Sequence, residues 1–137
     1  MTEKTRKNST AKGGIQNSIA PWLTVRNGME AVEFYKSAFG AIEVYRLDGP
    51  DGDLVVKLSI RGAELWVSNG ADKGLSPDSL GGGTVRMILT VSDPDVVFNQ
   101  ALESGAIQVF PVGEDHGWRL GRLVDPFGLH WEIGRPL

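Results

Sequence analysis

Arg61-Gly62-Ala63-Glu64-Leu65-Trp66-Val67 and Phe127-Gly128-Leu129-His130-Trp131-Glu132-Ile133 are two versions of one turn-then-strand phrase, each with glycine in its second place. Ala20-Pro21-Trp22-Leu23-Thr24-Val25 and Arg86-Met87-Ile88-Leu89-Thr90-Val91 form a second pair at the same displacement, since 86 follows 20 by as many residues as 128 follows 62. A chain that repeats itself at a fixed interval is built from copies of one unit. Equivalent positions that differ in chemistry then mark where a site would lie.

Working outward from these phrases, the elements fall into the same order twice. Ile19 to Val25 alternates as a strand; Met29 to Phe39 carries Ala31, Val32, Tyr35, Ala38 and Phe39 at helical spacing, with Gly40 as its stop. Ala41 to Leu47, Leu54 to Ile60 and Ala63 to Ser68 follow as strands, separated by Gly49-Pro50-Asp51-Gly52 and Arg61-Gly62. The order restarts with a strand from Val85 to Val91 and a helix from Pro94 to Ser104, capped by Asp93 and stopped by Gly105. Strands Ala106 to Val112, Trp118 to Val124 and Leu129 to Ile133 complete it. The expected architecture is α+β, with two βαβββ modules, residues 15–80 and 84–137, in a single domain spanning 15–137. Residues 1–14, rich in Lys, Thr, Ser and Gly, read as a disordered tail. Gly81-Gly82-Gly83 reads as a linker, because a phosphate cradle would be followed by Lys-Ser/Thr and a helix.

Composition narrows the function classes. The 137 residues contain no cysteine, which removes disulfides, thiolate nucleophiles and thiolate metal sites. The net charge of -3, without clustered basic residues in the folded part, gives no footprint for nucleic acid. No signal peptide or membrane span is visible, so a cytoplasmic protein is expected, with no membrane partner. Ser68 has no evident histidine and carboxylate partners for a nucleophilic triad.

Trp22-Leu23-Thr24-Val25, the helix with Phe34-Tyr35 and Ala38-Phe39-Gly40, and Asp125-Pro126-Phe127-Gly128 with Trp131-Glu132 together resemble the glyoxalase, bleomycin-resistance and extradiol-dioxygenase superfamily, also called vicinal oxygen chelate, in its PhnB-like branch. The resemblance implies paired modules whose mixed sheets curl around a cleft, often in a dimer, so a homodimer is expected. It also implies, for metal-dependent members, four ligands on the first and last strands of the modules. Carried over through the repeat, those positions are Ala20, Trp66, Arg86 and Glu132. Only Glu132 is a usual ligand; a methyl, an indole and a guanidinium offer no useful donor. No metal and no other cofactor is therefore expected.

Strand alternation allows these positions to share one surface. Ile19, Pro21, Leu23 and Val25 form one face of the first strand, and Val85, Met87, Leu89 and Val91 match them, turned towards the helices. Ala20 and Arg86 then point the other way, as do His130 and Glu132 on the last strand and Glu64, Trp66 and Ser68 on its equivalent. The expected ligand-binding residues are Trp22, Trp66, Arg86, His130 and Glu132. Trp22 and Trp66 offer faces for a planar ligand or for packing. Arg86 and Glu132 either close the cleft by pairing, or hold an anionic or carbonyl group, with Glu132 as base if the protein is an enzyme. The polar loop Glu114-Asp115-His116-Gly117, which Trp118 and Arg119 follow, is a candidate rim or lid.

The leading reading is a metal-independent small-molecule binding protein with an aromatic and charged cleft. The alternative is a lyase, isomerase or dioxygenase with a metal site rebuilt from His130, Glu132, Glu64 and His116, or a metal-free catalyst using Glu132. A scaffold whose cleft is filled by its own side chains is the plainest case. Whether each cleft lies within one chain or between two is open at this stage.

Overall fold

The structure is a computed structural model describing residues 18–69 and 85–137. The expected tail at 1–14 and the linker around Gly81 lie outside the described residues. Module one consists of β1 (Trp22–Val25), α1 (Gly28–Phe39), β2 (Ile42–Asp48), a 3-10 turn at Pro50–Gly52, β3 (Leu54–Ile60) and β4 (Ala63–Asn69). Module two consists of β5 (Arg86–Thr90), α2 (Pro94–Glu103), β6 (Ile107–Asp115), β7 (Trp118–Val124) and β8 (His130–Pro136). Each module is an open four-stranded mixed sheet, ordered β1-β4-β3-β2 and β5-β8-β7-β6. The two-module α+β architecture is as the repeat predicts.

The register of the parallel pairs repeats as well. Trp22 lies opposite Trp66 in module one, and their counterparts Ile88 and Glu132 lie opposite each other in module two. A third repeated phrase went unread in the sequence: Gly40-Ala41-Ile42-Glu43-Val44-Tyr45 returns as Gly105-Ala106-Ile107-Gln108-Val109-Phe110. Both copies sit on edge strands, and both break register at the same point, between Glu43 and Tyr45 and between Gln108 and Phe110. These irregularities, with Pro111 in β6, spoil the edges as templates for further pairing.

Caps define the helices. Asn27 accepts a hydrogen bond from the Glu30 N–H and Asp93 from the Val96 N–H, each leaving the following helix start satisfied. Gly40, at φ 72°, closes α1 by donating its N–H to the Lys36 carbonyl. Gly28 lies close against Asn69, whose Oδ1 accepts its N–H, and a Cβ there would stand 2.6 Å from that oxygen.

The first-strand faces need correction. Leu23 and Val25 are buried, but Ile19, Pro21 and Val85 are exposed, and β1 begins only at Trp22. Its last ladder contact is the Trp66 N–H donating to the Pro21 carbonyl, and residues before it have no strand beside them among those described. The apolar row therefore holds only for its second half.

One core serves both modules. The helices pack on each other, and Phe34, Tyr35 and Phe39 of α1 meet Phe127 and Trp131 of module two, with ring centroids 4.7 Å apart for Phe39 and Trp131. Each sheet consequently has one face under the helices and one turned away from them. Among the described residues, no helix is long and apolar enough to cross a membrane.

Candidate functional site

The helix-free face of module two is set by strand alternation. Leu129, Trp131 and Ile133 are buried against the helices, which leaves His130, Glu132 and Gly134 on the other side of β8. β5 lies alongside in parallel, with Arg86 opposite His130 and Ile88 opposite Glu132. Arg86 Nε reaches Glu132 Oε2 at 3.0 Å, so the two residues do pair. Glu132 is the more enclosed partner, at 17% side-chain exposure against 45% for Arg86.

A further cation stands on the third strand. Arg122 is opposite Glu132 in the β7–β8 ladder, and its Nε–H donates to His130 Nδ1 at 3.3 Å. A neutral imidazole that accepts at Nδ1 carries its proton on Nε2. The sequence reading passed over Arg122; its signal was the alternation Trp118, Leu120, Arg122, Val124, which puts it on the same face as Glu132. Two guanidinium groups thus flank one carboxylate. Next to them is a cavity of about 290 Å³ lined by Ile88, Trp118, Leu120, Glu132 and Gly134. It is largely apolar at its walls and charged on one side, close to the lower end of small-molecule sites at ~300 Å³.

Trp118 takes its place in this wall, but the neighbouring residues form no lid. β6 runs on to Asp115, and His116 and Gly117, at φ 51° and 82°, make a two-residue turn into β7. His116 is 90% exposed and pairs with Asp115 at 2.8 Å. Arg119 points to the opposite side of the sheet, where it grips Asp95 of α2 with two hydrogen bonds of 2.8 and 2.7 Å. That grip holds the Asp95 carboxyl below the ordinary carboxylate range and raises the Arg119 guanidinium further.

The equivalent face of module one has different chemistry. Trp22 and Trp66 stack on each other at 5.5 Å, Tyr45 meets Trp66 edge-on at 5.8 Å, and Lys57 Nζ lies 5.2 Å from the Trp66 ring centroid. Lys57 also pairs with Glu64 at 3.0 Å. Ser68 accepts the Trp22 indole N–H at 2.9 Å, which fixes that ring and occupies the hydroxyl. Trp22 remains 53% exposed. Among the described residues, no hydrogen bond, ion pair or ring contact joins Trp22 and Trp66 to Arg86, His130 and Glu132. The five expected ligand-binding residues therefore form two groups on two sheets.

The donors for a vicinal-oxygen metal centre do not fit. At the carried-over positions Arg86 neutralises Glu132, Trp66 is stacked, and Ala20 precedes β1. The rebuilt set is not assembled either, because Glu64 is held by Lys57 in module one and His116 is at an exposed hairpin tip. Among the described residues, no three of His, Cys, Asp and Glu are grouped so as to hold a metal ion.

Asp125, in the Asp-Pro-Phe-Gly segment, does structural work that the sequence reading did not assign. Its Oδ2 accepts the Tyr35 hydroxyl at 2.6 Å and the Trp131 indole N–H at 2.9 Å, while Oδ1 accepts the N–H groups of Phe127 and Leu129. Burial raises the Asp125 carboxyl above its ordinary value, against the opposing pull of these four hydrogen bonds. Burial, reinforced by the neighbouring carboxylate, pushes the Tyr35 phenol well up as well. The phenol thus keeps its proton and donates it across the module seam.

No family model matches the chain. The uncharacterized protein Mb0911c of Mycobacterium bovis is 38% identical over 131 residues, covering 90% of this chain and 86% of the relative. Among solved structures, TioX from Micromonospora sp. ML1 is 25% identical, with a TM-score of 0.68 over 88% of this chain and 100% of its own. A glyoxalase/bleomycin resistance protein/dioxygenase family enzyme from Burkholderia phytofirmans shares the fold at a TM-score of 0.71 and 17% identity, over 88% of this chain and 100% of its own. With its doubled βαβββ unit and repeated strand register, the chain has the fold of the glyoxalase/bleomycin resistance protein/dioxygenase family enzyme and is similar in sequence to Mb0911c.

Proposed function

We propose that the protein is a metal-independent small-molecule binding protein, active as a homodimer, that takes a ligand with an apolar body and an anionic or carbonyl group. The observation that carries this reading is the Arg86–Glu132 pair where metal-binding relatives would place ligands, set beside the 290 Å³ cavity. Glu132 is the charged residue of the lining, and Arg86 and Arg122 bring two guanidinium groups beside it, so its surroundings favour an oxyanion or carbonyl oxygen. Trp118, Ile88 and Leu120 supply the apolar surface.

The dimer is supported by what each chain leaves uncovered. β1 and β5 are sheet edges among the described residues, and Trp22 and Ile88 on them are 53% and 62% exposed. Setting the Trp22–Trp66 face of one copy against the Arg86–Glu132 face of another would bury both and complete an aromatic and charged cleft.

The test uses salicylate as an aromatic carboxylate probe, followed by tryptophan fluorescence, together with elemental analysis of the purified protein. Saturable quenching without stoichiometric metal is expected, and Arg86→Ala should weaken binding at least ~10-fold, equivalent to about 1.4 kcal/mol. Tightly bound stoichiometric divalent metal, or Arg86→Ala binding as well as the parent, would refute the reading.

A further inference from the structure

A second cavity, of about 200 Å³, lies on the helix side of the sheets, at the seam of the two modules. Phe39 at the end of α1 and Ile60 at the end of β3 contribute its module-one wall; Leu89 of β5 and Val97 of α2 contribute its module-two wall. It shares no lining residue with the cavity beside Glu132. Gln100, also in the lining, donates its side-chain N–H to the Ser37 carbonyl at 2.8 Å and so fastens the two helices at the rim. Cavities between packed units are frequent ligand sites.

The single charge in this lining is Arg61. Among the described residues it has no hydrogen-bond or ion-pair partner, whereas the other cations named above all have one. Its backbone is also unusual. Arg61 and Gly62 form the two-residue turn between β3 and β4, both in the left-handed region at φ 53° and 97°, where Asn, Asp or Gly is the ordinary occupant of the first place. An arginine is held there against conformational preference, with no partner among the described residues, at the edge of a cavity whose walls are part apolar and part polar.

We infer that the seam cavity is a second binding site, for a small amphipathic anion whose acyl tail enters between Phe39, Ile60 and Leu89 while its carboxylate meets Arg61. Size sets the class: a dry apolar cavity of roughly 150 Å³ holds benzene, so this one suits a tail of about six carbons. No lining residue carries a negative charge to repel the head group. The site is independent of the proposed function, since it uses neither Arg86 nor Glu132.

The experiment is a titration of the isotopically labelled full chain with hexanoate, with 1-hexanol as the neutral counterpart, read from backbone amide resonances. Saturable shifts are expected at residues 38–40, 60–61 and 89–97. Arg61→Gly removes the guanidinium and suits the left-handed backbone, so it should weaken hexanoate at least ~10-fold and leave hexanol unchanged. Val96→Trp, at a lining position already 57% exposed, should block both ligands. The inference fails if those amides do not saturate, if shifts appear only around Arg86 and Glu132, or if Arg61→Gly binds hexanoate like the parent.

Discussion

Asp125 accepts four hydrogen bonds from within the fold, and the one from Tyr35 comes from the other module. Removing it by Tyr35→Phe should cost about 1.5–3 kcal/mol at pH 7, the range for a hydrogen bond to a charged group. The pH dependence has a definite sign. Folding raises the Tyr35 pKa, so its contribution is complete below the unfolded value of about 10 and is lost as pH rises through that value towards the folded one. The stability gap between parent and Tyr35→Phe, measured by chemical denaturation, should therefore narrow by roughly 1 kcal/mol between pH 10 and 11. A gap that stays constant over that interval would contradict the assignment. At the proposed ligand site, Arg86 and Glu132 were legible through the repeat, but Arg122 was not, because a register across β7 and β8 had to be known first.

Strand β8 illustrates how an element is tuned to its neighbours. Gly134 has no left-handed backbone to justify it; it is needed because a Cβ would stand 2.6 Å from Leu120 Cβ and 2.7 Å from the Arg119 carbonyl oxygen. Gly134→Ala should consequently destabilise by about 1–3 kcal/mol, the usual cost of overpacking, and narrow the cavity that Gly134 and Leu120 share. Gly113→Ala is the matched control, since nothing lies within 4 Å of its Cβ position. Comparable denaturation midpoints for the two variants would disprove the packing argument. Helix ends and hairpin turns were legible where Asp93, Gly40 and Gly62 act locally. The strand end at Asp115 was not, because a polar run reads as a loop until its partner β7 is known to pair with it.

At the scale of the whole molecule, helix-to-helix packing turns the two helix-free sheet faces away from the shared core. The proposed dimer follows from that exposure and predicts that Ile88→Asp, a change at a 62% exposed side chain, leaves the unfolding of the individual chain nearly unaltered while dissociating the dimer. Sedimentation at several concentrations reads this directly. A monomeric parent protein, or an Ile88→Asp variant that sediments as the parent dimer, would remove the basis for a shared cleft.

The sequence by itself determined the doubled module, the order of its elements and the side of each strand on which Trp66, Arg86, His130 and Glu132 stand. Those properties rest on local propensity and period-two alternation, which are written in neighbouring residues. Only the tertiary structure decided that the tryptophans and the Arg86–Glu132 pair occupy separate sheets, that Asp125 ties the modules together, and that Arg61, without a partner among the described residues, meets a cavity at their seam. Each of these depends on how two units of similar sequence pack against one another, and contacts between residues far apart in the chain leave no periodic trace in it.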